Sequence, residues 1–250
     1  MRNTLADALN ADNCCDSIIS RNKNNYLELI CSYETPACPS HHDCFFCPCP
    51  CATASGRKGI DNWEKEVFSD ETRYAVKEIN GVKAVKASSQ SSASGLVLKK
   101  KIDLAETPYL NWSWKVSQGL PALDEQSKNG DDYAARIYIV KDGGIMIWNM
   151  KVLNYVWSSS QAIGTSWNNA FAGSHVKMLA LQGRGSQTNH WYSERRNIYQ
   201  DMIEQFGDKG SDAANLKAYR YVDAVAIMTD TDNSGSNAES YYGNIWLSSQ

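Results

Sequence analysis

The stretch Tyr219–Gly235, YRYVDAVAIMTDTDNSG, constrains the fold of this chain more than any other. Val222, Ala224, Ala226 and Met228 alternate with Asp223, Val225 and Ile227, a period of two with apolar residues on both faces near its end. Successive side chains of a strand point to opposite faces, so such a run belongs to a central strand buried on both sides. It leads straight into Asp230-Thr-Asp232-Asn-Ser234-Gly235, three oxygen-bearing side chains at alternate positions closed by a glycine. Asp230, Asp232, Ser234 and Gly235 match positions 1, 3, 5 and 6 of a calcium hand. Position 12 is Tyr241, where such a hand has its bidentate glutamate. A Ca²⁺ ion held by Asp230, Asp232 and Ser234 therefore needs further oxygens, for which Asp131, Asp132 and Glu239 are the candidates. The competing reading is a hairpin loop whose Asp and Asn side chains satisfy their own backbone.

The cysteines divide the chain. All eight lie between Cys14 and Cys51. Residues 1–56 hold three basic and six acidic groups, which leaves 22 of each for residues 57–250. A formally neutral main domain lacks the basic footprint of a nucleic-acid binder. The sequence has no run of 18 apolar residues, so it predicts no transmembrane helix. Eight tryptophans and thirteen tyrosines supply large rings with a polar handle, suited to strands and to surfaces that grip sugars or proteins.

Residues 1–56 show no periodicity and are broken by Pro36, Pro39, Pro48 and Pro50, which predicts an irregular segment. Its end packs Cys44, Cys47, Cys49 and Cys51 beside His41 and His42. Zinc is one reading, but structural zinc sites join two ligand pairs across an intervening fold, so disulfides or a disordered tail are favoured. Ala52-Thr53-Ala54 before Ser55-Gly56 resembles an export cleavage site, yet the apolar stretch that should precede it is missing. The segment reads as disordered or as a damaged export signal, followed by a β-sandwich domain over 57–250.

That domain is a succession of strand patterns. Asn80-Gly81 joins Thr72–Val76 to Val82–Ala87 as a hairpin, because both turn residues tolerate positive φ. In Tyr109–Val116, Leu110, Trp112, Trp114 and Val116 share one face and Asn111, Ser113 and Lys115 the other. The two tryptophans form either a sugar-stacking platform or core, and their apolar company favours core. Asp131-Asp132 opens a strand through Arg136, with an Arg136–Asp132 ion pair expected from their even spacing. Ile145–Trp148, Val152–Trp157 and His175–Leu181 follow as strands, and the loop between the last two carries Trp167 and Phe171. Ile198, Met202 and Phe206 fall on one helical stripe with Gly207 as the stop and Ser193 as N-cap, one short helix near 194–206.

Trp63-Glu64, Ser94-Gly95-Leu96, Trp112-Ser-Trp114-Lys-Val116, Asp131-Asp132-Tyr-Ala-Ala-Arg136, Tyr155-Val-Trp157, Glu194-Arg-Arg-Asn197 with Asp201, and Met228-Thr-Asp230-Thr-Asp232-Asn233 occur in that order. As a set they resemble a family of exported bacterial proteins known as domain of unknown function 3047, over about residues 60–248. The resemblance implies a periplasmic or secreted protein and brings no activity with it. The strand order is also similar to galactose-binding-like jelly rolls, which implies an all-β antiparallel sandwich.

No Gly-x-Ser-x-Gly, His-Glu-x-x-His or phosphate-loop signature is present. Carboxylates are the remaining catalytic chemistry, and Asp132, Glu194, Asp201 and Asp230 are the candidates for a glycoside-hydrolase pair. Trp157, Trp167, Tyr155, Arg136 and Arg196 are the candidate ligand-binding residues. The favoured expectation is a non-catalytic carbohydrate-binding sandwich whose partner is a glycan or a cell-envelope component. A carboxylate-based hydrolase and a structural envelope protein are the alternatives.

Overall fold

The computed structural model describes residues 27–30, 62–79, 81–144 and 150–250. In chain order the elements are β1 (Leu27–Ile30), β2 (Glu64–Ser69), β3 (Arg73–Ile79), β4 (Val82–Gln90), β5 (Ala93–Asp103), β6 (Tyr109–Gln118) and β7 (Arg136–Lys141). They continue with β8 (Lys151–Trp157), β9 (Ser166–Asn169), β10 (Gly173–Gln182), β11 (Tyr192–Asn197), α1 (Ile198–Phe206), α2 (Asp212–Tyr219), β12 (Tyr221–Asp230) and β13 (Asn237–Ser248). Two sheets result. One is ordered β11–β6–β13–β4–β3, with β1 also pairing β13; the other is ordered β2–β5–β12–β7–β8–β10–β9. The fold is an all-β sandwich. Every pairing among the described strands is antiparallel except β8 with β10, which run parallel.

β12 lies between β5 and β7 in the seven-stranded sheet. Val222, Val225 and Ile227 enter the core between the sheets, whereas Ala224, Ala226 and Met228 join a second cluster with Tyr138, Val140, Val152 and Met178. Burial on both faces is why this strand is apolar almost throughout.

The aromatic spacing builds the main core. Trp112 and Trp114 of β6 meet Tyr155 and Trp157 of β8, the two i, i+2 pairs facing each other across the sandwich. Trp112 stacks on Tyr155 at 5.3 Å, and Trp114 meets Trp157 edge-on at 5.9 Å. At one end the interior is polar instead. Thr229 Oγ1 bonds Ser240 Oγ and Tyr242 Oη, Tyr242 donates to the Met228 carbonyl, and Ser89 Oγ bonds Thr231 Oγ1. Burial pushes the Tyr242 phenol up to about 12, so it stays a donor there.

Several local expectations change. The helix begins at Ile198 and is capped by Asn197, whose side chain accepts from Gln200 N–H; Ser193 lies inside β11. Tyr219 ends a second helix, α2, so β12 starts two residues later. The Asn-Gly hairpin holds: Ile79 pairs with Val82, and Gly81 takes φ +78°. The predicted strand Ile145–Trp148 and the cysteine tract lie outside the described residues.

The 119–130 loop is tied down by Glu125, which is fully buried. It accepts from Ser158 Oγ and from Ser159 N–H and Oγ. Burial nevertheless raises its carboxyl above the ordinary value. The folded state thus holds this proton to higher pH than the unfolded chain. The associated stability is full below about pH 4.3 and is lost as pH rises through the raised folded value. Glu125→Gln should remove that slope from the profile of Tm against pH.

Candidate functional site

β12 and β7 pair with Met228 opposite Arg136, which brings the chain after Asp230 beside the chain before Arg136. Here the acidic residues gather. Asp132 Oδ1 accepts from Asn233 N–H and Nδ2, both at 3.1 Å, and Oδ2 accepts from Ser234 N–H at 2.6 Å. Asp230 accepts from Tyr133 N–H and from the Arg136 guanidinium. That guanidinium lies 5.0 Å from the Tyr133 ring centre and 5.1 Å from that of Tyr138. Burial pushes the Asp230 carboxyl well up, Arg136 opposes this, and Asp132, Asp131 and Asp232 add to it. Oxygens of Asp132, Asp230 and Asp232 all lie within 4.8 Å of one another.

One expectation is revised here and another is narrowed. Arg136 pairs with Asp230, not Asp132, because β7 begins only at Arg136 and the two-residue period does not reach back to 132. The carboxylate that joins Asp230 and Asp232 is that of Asp132. Asp131 instead turns Oδ2 to Asn169 Nδ2 at 2.8 Å. Gly130 sets this segment's path: a Cβ there would lie 2.3 Å from the Asp124 carbonyl oxygen. Gly130→Ala should therefore cost about 1–3 kcal/mol, read as a lower Tm, because backbone rather than a movable side chain blocks the space.

The remaining candidates are placed in structural networks. Glu194 Oε1 accepts from Trp114 Nε1 at 3.2 Å and Gln182 Nε2 at 2.7 Å, and burial raises its carboxyl. Asp201 accepts from Tyr155 Oη at 2.6 Å and from Arg196 Nε at 2.9 Å, fixing α1 onto β8 and β11. Tyr155, Trp157, Trp167 and Arg136 are 0, 6, 8 and 5% exposed, so these four offer little surface to a ligand.

The outer face of the six-stranded sheet presents the exposed chemistry. In register, Arg195 of β11, Asn111 of β6 and Trp246 of β13 form one transverse row. Ser193 and Ser113 form the next, and Lys115 and Tyr241 the one beyond. Rows are about 6.7 Å apart, two residues along a strand. A groove of about 380 Å³ is lined by Asn111, Ser113, Ser193, Arg195, Asn244 and Trp246. Trp246 is 37% exposed while its neighbours Ile245 and Leu247 are fully buried. Arg195 stacks 3.7 Å from the Tyr109 ring centre, and Lys115 Nζ lies 4.4 Å from that of Tyr241. Gly243 lets β13 pass close to Ser113, since a Cβ there would lie 2.1 Å from Ser113 Oγ. An exposed indole beside amides, hydroxyls and a guanidinium can pack against an apolar ring face and bond its substituents.

Among solved structures, the chain is similar to the xyloglucanase domain of NopAA, a type three effector from Sinorhizobium fredii. They share 13% identity, with 75% of this chain and 93% of that one covered and a TM-score of 0.42. A cellulase derived from Cel12A of Rhodothermus marinus is 8% identical, covers 74% and 96% of the two chains, and has a TM-score of 0.40. A variant of a family 29 carbohydrate-binding module is 8% identical, covers 78% and 86%, and has a TM-score of 0.33. No curated protein matches the chain. Residues 61–246, from just before β2 to Trp246, match one family throughout. The chain belongs to the family described as "Protein of unknown function (DUF3047)".

Proposed function

We propose that the protein is a non-catalytic carbohydrate-binding β-sandwich of the bacterial envelope. In this reading it holds a glycan along the groove of the six-stranded sheet. The observation that carries it is the Arg195–Asn111–Trp246 row, which sets the exposed Trp246 indole and Arg195 guanidinium on either side of a buried Asn111 on one sheet face. Three strands of one sheet hold these side chains, so the surface is rigid before a ligand arrives, which lowers the ordering cost of binding. Of the candidate carboxylates only Glu194 lines the groove, where among the described residues no second carboxylate stands to complete a hydrolytic pair. Asp132 and Asp230 are 0 and 1% exposed and already engaged by N–H donors, which leaves no access for a glycosidic bond.

The test is a glycan array followed by titration of a retained glycan, read by tryptophan fluorescence, with reducing-end release assayed in parallel. The reading expects saturable binding and no release. A silent array contradicts the binding, and release of reducing ends contradicts the non-catalytic part. Recovery of the native protein from the cytoplasm would contradict the envelope location. No helix of the described residues is long and apolar enough to cross a membrane.

A further inference from the structure

The acidic junction between β12 and β7 lies on the other sheet and does not depend on the glycan reading. Its charges are poorly balanced. Asp131, Asp132 and Asp230 are 5, 0 and 1% exposed, and Asp232 meets the last two. Against the three buried carboxylates, those of Asp131, Asp132 and Asp230, the described structure places one guanidinium, that of Arg136. Three negative groups and one positive group leave a formal excess of two negative charges, in a place where water compensates poorly.

Unpartnered oxygens border the same cluster. The Asn233 side-chain amide donates to Asp132 Oδ1 at 3.1 Å, to Asp232 Oδ1 at 3.2 Å and to the Asp131 carbonyl at 3.4 Å, which binds all three residues into one knot. Asp131 Oδ1 is buried there without a hydrogen-bond partner. Ser234 donates its N–H to Asp132, and its own Oγ is likewise buried without a partner. A lone pair left unsatisfied in the interior is costly, and two beside a carboxylate cluster point to a missing positive ligand.

The spacing and the donor type name that ligand. Oxygens each about 2.4 Å from one ion can be at most about 4.8 Å apart, and the three carboxylates fall within 4.8 Å. Every candidate donor is an oxygen, the ligand set of a hard cation rather than of zinc or copper. We propose that Asp132, Asp230 and Asp232 bind Ca²⁺, with Ser234 Oγ as a further oxygen, and that the ion clamps the ends of β12 and β7 together.

The test uses the full chain, stripped with a chelator and then given Ca²⁺ or Mg²⁺. Saturating Ca²⁺ should raise Tm by about 5 °C. Tb³⁺ in place of Ca²⁺ should luminesce on excitation of the protein aromatics, Tyr133 being next to Asp132, and Ca²⁺ should displace it. Asp232 is only half-buried, so Asp232→Asn should fold with an unchanged circular dichroism spectrum and bind at least about tenfold more weakly. Ser234→Ala, which removes only a hydroxyl, should weaken binding without affecting folding. Equal Tm in Ca²⁺ and in chelator with no Tb³⁺ signal overturns the site. Undiminished binding by both variants places the ion elsewhere and overturns it too. An equal response to Mg²⁺ overturns the assignment to calcium.

Discussion

Replacing Arg136 with methionine should cost about 3–5 kcal/mol of folding stability, enough to unfold much of the protein near physiological temperature. Arg136 is 5% exposed, pairs with Asp230 and lies between the rings of Tyr133 and Tyr138. In the chelator-stripped protein, methionine fills much of the volume but leaves the Asp230 carboxylate in the interior without its counter-charge. The cost comes from that orphaned charge more than from a lost attraction, since a buried ion pair gains little over well-packed apolar groups. The pH dependence follows. Asp230 is already raised by burial, and without Arg136 it rises further. A raised carboxyl contributes stability at low pH that is lost as pH rises through its folded value, so the deficit should grow with pH. Arg136→Met combined with Asp230→Asn should recover part of the loss. Urea unfolding of the wild type and the two variants measures this, and a loss under about 1 kcal/mol for Arg136→Met would show that the pair is not the anchor described.

The second large effect concerns binding and should leave the fold alone. Trp246→Ala should weaken glycan binding by about thirtyfold or more, equivalent to about 2 kcal/mol, as expected of a central aromatic anchor. Its indole faces solvent from a strand whose neighbours Ile245 and Leu247 hold the core, so truncation removes contact surface without opening a cavity. Trp157→Ala is the informative contrast. Trp157 packs edge-on against Trp114 at 5.9 Å and Tyr192 at 5.3 Å, and its loss should cost about 3–5 kcal/mol of stability. Paired unfolding curves and binding titrations separate the two cases.

The sandwich was legible in the sequence wherever one strand carried its own signal. Val222–Met228 announced burial on both faces, and Leu110–Val116 placed its tryptophans inward, as found. What stayed hidden depends on register between distant segments. Nothing in Lys151–Trp157 or Gly173–Gln182 says that the two run parallel. Glu194–Asn197 carries charges at spacings that suit a helix flank, yet it pairs with β6 as an edge strand. Local propensity yielded there to sheet pairing.

The site was legible in the same uneven way. Asp230 and Asp232 stood out because their spacing is local, and Asp132 joins them across 98 positions of sequence only through the β7–β12 pairing. The groove was missed because no local spacing joins its residues. Asn111 and Trp246 are 135 residues apart and become neighbours only in the register of β6 with β13. Trp157 and Trp167 drew attention as rings near loops, and both belong to the core clusters. An aromatic residue in a strand reads alike from sequence on either face until its neighbours' burial is known.

The most direct test of the binding face is ¹⁹F NMR of protein labelled with 5-fluorotryptophan, titrated with a glycan identified on the array. The chain has eight tryptophans, and each resonance is assigned by single replacement. Trp114, Trp157 and Trp167 are buried at 0, 6 and 8% exposure, whereas Trp246 lines the groove. Binding there should shift the Trp246 resonance progressively and leave those three in place. A ligand that shifts Trp157 or Trp167 while Trp246 stays fixed would contradict the account.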